Sequence, residues 1–341
     1  MRPGLVVLVC ALAAPLAHAA PTLYVSCEDE GAIGVIDTVA QAVTATWPVG
    51  KRPRGLRLGP DGKHLYVALS GSPKGGPGVD ESKLPPPDRD ADGIGELDVA
   101  TGKRLRILSS GEDPESFDIT RDGHTLYVSN EETAQASIVD VATGKVRGRV
   151  AVGGEPEGVR LRPDGKQVWV TSEADNAVFA IDTATNKVAT RLTVPPRPRV
   201  VLFAPNGAVA YVSSENGAAV TLVNGKSVQP LGTIHIGNEG VTGPLGARPM
   251  GLILSADAKT LYVGNGRGGT ISVVDTASRK VTRTIAQVGA RPWGLALSAD
   301  GKTLYSANGP SNDVSVIDLV AGKIVKKIAT CRGPWGLELG R

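Results

Sequence analysis

Histidine is scarce in this chain of 341 residues: there are four, and the three beyond the first 20 positions, His64, His124 and His235, stand far apart. No grouping has the spacing that holds zinc, copper or haem, and no Cys-x-x-Cys-His occurs, which argues against a redox centre of the protein's own. A serine triad equally lacks a placed base. Cysteine is limited to Cys10, Cys27 and Cys331. Aromatic residues make up only 4%. No apolar run is long enough for a membrane span, the longest candidate being Leu5 to Leu16. Excess charge of one sign is missing too, since the formal net charge is +3. Such a balance gives no general attraction to nucleic acid or to a membrane surface, so electrostatic recognition has to be local.

The first residues do carry a pattern. Arg2 precedes the apolar stretch, and Ala17-His18-Ala19 has the small-x-small form of a leader cleavage site. We expect residues 1–19 to be a signal peptide and the remaining 20–341 to form a single exported domain, periplasmic or secreted. Removing Arg2 from the 37 basic residues leaves 36 against 34 acidic ones. Val9 stands where a lipoprotein signal wants a small residue, which argues against lipidation of Cys10.

Glycine (43) and proline (24) are plentiful. They punctuate a repeat of the form G-L-x-L-S-x-D-G-K-T-L-Y-V-x-N followed by V-x-V-I-D-x-A-T-G-K-V. Its aromatic position falls at Tyr24, Tyr66, Tyr127, Trp169, Tyr211, Tyr262 and Tyr305. Three of the intervals are 42 residues, the length of one four-stranded propeller blade. Asp61-Gly62, Asp122-Gly123, Asp164-Gly165, Asn206-Gly207 and Asp300-Gly301 suit tight hairpins, because Asx-Gly tolerates positive φ. We therefore expect an all-β, seven-bladed β-propeller of antiparallel blades. The chain enters on a second strand at Thr22 and ends on a first strand from Gly336, so pairing the two would complete the seventh blade and close the ring.

Cys27 and Cys331 lie in that closing blade, where a disulfide would staple the ring. Two free thiols held apart by loop geometry are the other reading.

Links and loops on one rim carry the varied side chains. Blades three and four supply acids there, including Glu155 and Glu157; the other blades supply Arg52, Arg54, Arg197, Arg199, Arg248 and Arg291, with Trp293 and Trp335 between them. An electrically two-sided mouth follows. Arginine forks beside indoles suit a small carboxylated ligand or an acidic loop of a periplasmic protein partner. The alternative is that these charges pair with one another around the channel.

Blade two carries an acidic, proline-rich insertion at about 71–91. Asp88, Asp90, Asp92 and Glu96 around Gly93 resemble a calcium loop, although the flanks are not the helices of an EF-hand. A solvated acidic turn is the competing reading.

Leu-Tyr-Val-x-Asn with Val-Ile-Asp-x-Ala-Thr-Gly-Lys resembles the YVTN-type β-propeller repeat family. The links Arg52-Pro53-Arg54-Gly55, Glu155-Pro156-Glu157-Gly158 and Arg291-Pro292-Trp293-Gly294, with Asn308-Gly309-Pro310, are similar to propellers found beside pyrroloquinoline-quinone-dependent oxidation systems. The resemblance implies the propeller fold and an exported setting, and we expect a non-enzymatic, monomeric binding or scaffold propeller that serves a quinone-dependent periplasmic oxidation system as an accessory. Two other functions compete with it. One is a carboxylate- or metal-dependent hydrolase of the lactonase kind, using Glu131, Glu173 and Glu215; the other is a single-stranded nucleic-acid binder using the arginine and tryptophan arc.

Overall fold

Each repeat builds one antiparallel four-stranded sheet, and seven such sheets close a ring. The computed structural model describes residues 21–75, 79–238 and 246–340. The expected leader and its cleavage site lie outside those residues. Among the described residues no helix is long and apolar enough to cross a membrane.

The second and third strands are buried on both faces. Thr125–Asn130, for example, reads TLYVSN and is buried throughout. Fourth strands such as Lys145–Ala151 alternate toward solvent. This gradient places the core between neighbouring blades: Trp169 of blade four packs with Val201, Phe203 and Val212 of blade five, its ring edge-on to Phe203 at 4.8 Å. Seven hydrophobic clusters occupy the seams in this way. Because both faces of a blade are covered, its strands read as continuous apolar runs.

Closure occurs as the order of the termini requires. Pro334–Leu339 pairs antiparallel with Thr22–Cys27, which continues to Ala32–Asp37 and Ala42–Pro48, giving blade one. Cys27 and Cys331 are joined by a disulfide with their Cα atoms 5.7 Å apart, bridging 304 positions of sequence.

The innermost strands set up the site. Six of them, from Pro114, Pro156, Pro198, Pro249, Pro292 and Pro334, lose register with the second strand just after the proline. Such an irregularity re-aims side chains. The residues it frees are Glu115, Glu157, Arg199, Met250, Trp293 and Trp335.

Candidate functional site

Three positions of the repeat converge on the axis at one rim, and most of their residues, Met250, Glu215 and Gly266 being among the exceptions, line a cavity of about 950 Å³. The residue after each link proline, from blade two round to blade one, is Arg54, Glu115, Glu157, Arg199, Met250, Trp293 and Trp335. The residue before it is Arg52, Asp113, Glu155, Arg197, Arg248, Arg291 and Gly333. The residue just past the second strand is Glu28 in blade one, Ser70 in blade two, Glu131, Glu173 and Glu215 in blades three to five, and glycine in blades six and seven.

The pre-proline position is strained. Arg52, Asp113, Glu155, Arg197 and Arg291 have φ between +40° and +60°, a region that costs an L-residue roughly 1–2 kcal/mol. Glycine takes the place in blade one, where Gly333 has φ +67°.

Below the charged half of the ring, hydroxyl groups fix the backbone. Ser26 donates to the carbonyl of Arg54 at 2.6 Å, Ser129 to that of Glu157 at 2.6 Å, Thr171 to that of Arg199 at 2.8 Å and Ser213 to that of Met250 at 2.7 Å. Each hydroxyl also accepts an amide N–H from its own or the adjoining innermost strand. The equivalent positions in blades two, six and seven are Ala68, Gly264 and Ala307. The hydroxyl of the repeat therefore serves as a staple between blades, and it holds three of the charged side chains in place.

The two signs of charge interlock. Arg54, 3% exposed, forms ion pairs with Asp113 and Glu115 and lies 3.5 Å from Glu131. Arg199, equally buried, pairs with Glu157, Glu173 and, at 2.8 Å, Glu215. Arg197 reaches Glu173 at 2.7 Å, and Arg52 reaches Glu28 at 3.0 Å. Glu155 is exposed at the rim and lines the cavity. Arg248 donates to Asn216 at 2.8 Å and is not part of the lining. The expected division into an acidic and a basic half is thus replaced by pairing across blade seams. Glu28 and Lys74, which pair at 3.1 Å, went unnoticed in the sequence; Glu28 shares a repeat position with Glu131, Glu173 and Glu215, and that alignment could have found it.

Carboxylates outnumber the buried cations, and this shows in their proton affinity. Burial pushes Glu115 and Glu157 well above the usual carboxylate range despite Arg54 and Arg199 beside them. The nearby charge of Glu173 and hydrogen bonding to it raise Glu157 further, and burial raises Glu173 as well. Burial and the nearby Glu157 and Asp113 push Glu131 up to about 7, against the pull of Arg54. For Glu215, burial is outweighed by Arg199 and Arg197, and its carboxyl falls below the ordinary value.

Arg291 differs from the other arginines. Among the described residues its buried Nε lacks a hydrogen-bond partner, and Glu215 and Glu28 act on it only through their charge. Its guanidinium lies 4.5 Å from the centre of the Trp293 ring, and that of Arg199 lies at 5.2 Å. Burial, with the like charge of Arg199, lowers its affinity for its proton. Trp293 is only 8% exposed and stacks against Trp335 at 4.8 Å. The arginine and tryptophan arc is consequently engaged within the protein, not spread as a strip for stacking bases.

The acidic insertion does not gather into a calcium loop. Asp88 pairs with Lys51 at 2.6 Å. Asp92 accepts from the amide of Gly71 at 2.7 Å and pairs with Arg89 at 3.2 Å. Glu96 lies in the strand Gly93–Asp98, opposite Tyr66, and binds the Tyr66 hydroxyl and Arg106. Asp90 is exposed. Strand pairing carries Glu96 away from the loop. Among the described residues no group of three or more His, Cys, Asp or Glu could hold a metal ion.

Solved structures with the same fold are numerous. The periplasmic gluconolactonase of Pseudomonas aeruginosa is 21% identical with a TM-score of 0.74, covering 94% of this chain and 99% of that one. Hydrazine synthase of Kuenenia stuttgartiensis is 19% identical with a TM-score of 0.71, covering 91% and 99%. A protein of unknown function from Desulfotomaculum acetoxidans is 14% identical with a TM-score of 0.76, covering 94% and 99%. Such different neighbours establish the fold and nothing about activity. No curated protein sequence matches this chain.

A family model described as a seven-bladed β-propeller lactonase matches residues 154–334, just over half of the chain. This match overturns the resemblance to YVTN repeats and to quinone-associated propellers, and with it the reading as a non-enzymatic binding or scaffold accessory. The residues behind the repeat resemblance, Leu-Tyr-Val-x-Asn and Val-Ile-Asp-x-Ala-Thr-Gly-Lys, form the buried second and third strands and the turn that follows them, which serve the packing of a blade. The chain belongs to the seven-bladed β-propeller lactonase family.

Proposed function

We propose that this protein is a lactone hydrolase whose reaction takes place in the central cavity. The observation that carries this reading is the belt of buried carboxyl groups between Arg54 and Arg199, with Glu131 at its open edge, in a member of a lactonase family. Ring opening needs a base for water, a donor for the carbonyl oxygen as it gains charge, and a proton for the departing ring oxygen. Glu131 has a side chain 32% exposed and a carboxyl pushed up to about 7, so near neutral pH it is available in both protonation states. It takes the proton of the attacking water and returns it to the ring oxygen as the acyl C–O bond breaks. Arg291, whose buried Nε lacks a hydrogen-bond partner among the described residues, presents its guanidinium N–H groups to the developing oxyanion. The product is a hydroxy acid.

We place the reaction outside the cytoplasm. A leader-like start and a disulfide both suit an oxidising compartment, the periplasm or the exterior.

Hydrolysis of a panel of γ- and δ-lactones by the mature protein, followed in a pH-stat and corrected for spontaneous opening, tests the reading. Turnover should fall by about 100-fold or more in Glu131→Gln. Absence of turnover on every lactone would overturn it.

A further inference from the structure

The cavity has a second wall that ring opening does not use. Around the axis, the charged positions of blades two to five give way on the cavity lining to Trp293 and Trp335, and the second-strand end of blade seven carries Gly309 in place of a glutamate. The insertion in blade two brings Leu84, Pro85, Pro86 and Pro87 to the same cavity, which Pro310 and Trp335 also line. The foot of the insertion is tied down: Arg52 donates to the Ser72 carbonyl at 2.8 Å, Lys51 holds Asp88, and Arg89 lies 3.6 Å from Glu112 and 3.4 Å from Glu132 of blade three. Its apolar residues are left facing water, the prolines exposed and Val79 at 43%.

We infer that this wall is a subsite for an aromatic ring attached to the lactone, so that the substrate class is aryl lactones. The inference rests on the lactonase reading for the reacting ring and deepens it. Three observations carry it. Proline has no N–H, so the run Pro85-Pro86-Pro87 offers a polyol no backbone donors; hydroxyls turned toward it would lose water without replacement, a cost of about 1–3 kcal/mol each. Gly309, at a position where blades three to five carry glutamates, gives that part of the wall no carboxylate to accept hydroxyl protons, and Glu28 and Asp29 at its edge are already paired with Arg52 and Lys74. A cavity of about 950 Å³ stands at the upper end of the range of roughly 300–1,000 Å³ usual for drug-sized ligands, far more than one small lactone ring fills. An aromatic ring instead meets indole and pyrrolidine faces and covers the exposed apolar surface.

The test compares δ-gluconolactone, a polyol, with dihydrocoumarin, a δ-lactone fused to benzene, in the wild type and in Leu84→Ser/Pro86→Ser, both sites being at the surface of the insertion. Binding of 3,4-dihydroquinolin-2-one, the lactam counterpart, is read separately by tryptophan fluorescence. We expect kcat/KM to favour dihydrocoumarin at least about tenfold, the range that one apolar group confers. The double variant should lose a similar factor on dihydrocoumarin and in lactam affinity, and little on δ-gluconolactone. Equal or better use of δ-gluconolactone, or equal losses on both substrates, would overturn the inference and leave the lactonase reading standing. Lactam binding that weakens in the variant, with no lactone hydrolysed, would overturn the lactonase reading and leave the aromatic subsite.

Discussion

Arg199 and Glu157 meet as a buried ion pair across the seam between blades five and four, each from the irregular start of an innermost strand. Arg199 also holds Glu173 and Glu215, so one guanidinium ties three carboxyl groups from two blades. Its removal leaves uncompensated charge in a site that water barely reaches. Arg199→Ala should lower stability by about 3–5 kcal/mol, read as the midpoint of urea unfolding; an unchanged midpoint would show that the belt contributes nothing to holding the ring.

Glu131 makes a prediction about pH. As the base, it must be ionised, so kcat/KM should rise with pH through a midpoint near 7, and Glu131→Gln should abolish that limb. Its effect on stability runs the other way. A carboxyl raised from its unfolded value binds its proton more tightly in the folded state, so its contribution is complete below the unfolded value, near pH 4.5, and is lost as pH rises through about 7. Glu115 and Glu157, also raised, add to the same trend. Thermal unfolding across that window should show the wild type losing stability relative to Glu131→Gln as pH rises.

The disulfide fastens the closing blade. Reduction, or Cys27→Ser with Cys331→Ser, should cost about 2–5 kcal/mol while leaving the far-ultraviolet spectrum of the sheets unchanged at moderate temperature. A melting temperature that does not respond to reductant would remove the staple from the account of closure.

One turn departs from the repeat. Where five blades use Asx-Gly, blade six has Asp257-Ala258, and Ala258 sits at φ +56°. Glycine adopts that conformation without Cβ strain, so Ala258→Gly should stabilise the protein by roughly 1 kcal/mol, visible as a small rise in melting temperature with activity unchanged.

The apolar repeat and its turns made the propeller legible because they obey local rules. Asx-Gly sets a hairpin wherever it occurs, and a strand buried on both faces must be apolar throughout. The working rim was legible by position, since the links vary while the turns repeat. Its electrical character was not. Arg54 belongs to blade two and its carboxylates to blade three, some 60 residues later in the chain, and their pairing exists only when the blades stand side by side. The place of Glu96 was hidden for a similar reason: spacing suggests that it converges with Asp88, Asp90 and Asp92, but strand pairing with Tyr66 aims it elsewhere.

By itself the sequence determined the number of blades, the order in which the ring closes and the pair of cysteines at the closure. These follow from periodicity and from which strand comes first and last. Tertiary structure decided which charges neutralise one another, that the buried Nε of Arg291 lacks a hydrogen-bond partner among the described residues, that Glu131 sits at the edge of a proton-rich belt, and that the insertion supplies an apolar wall to the cavity. Those properties arise from distances across seams and from burial, and both are fixed only when seven separate repeats are brought around one axis.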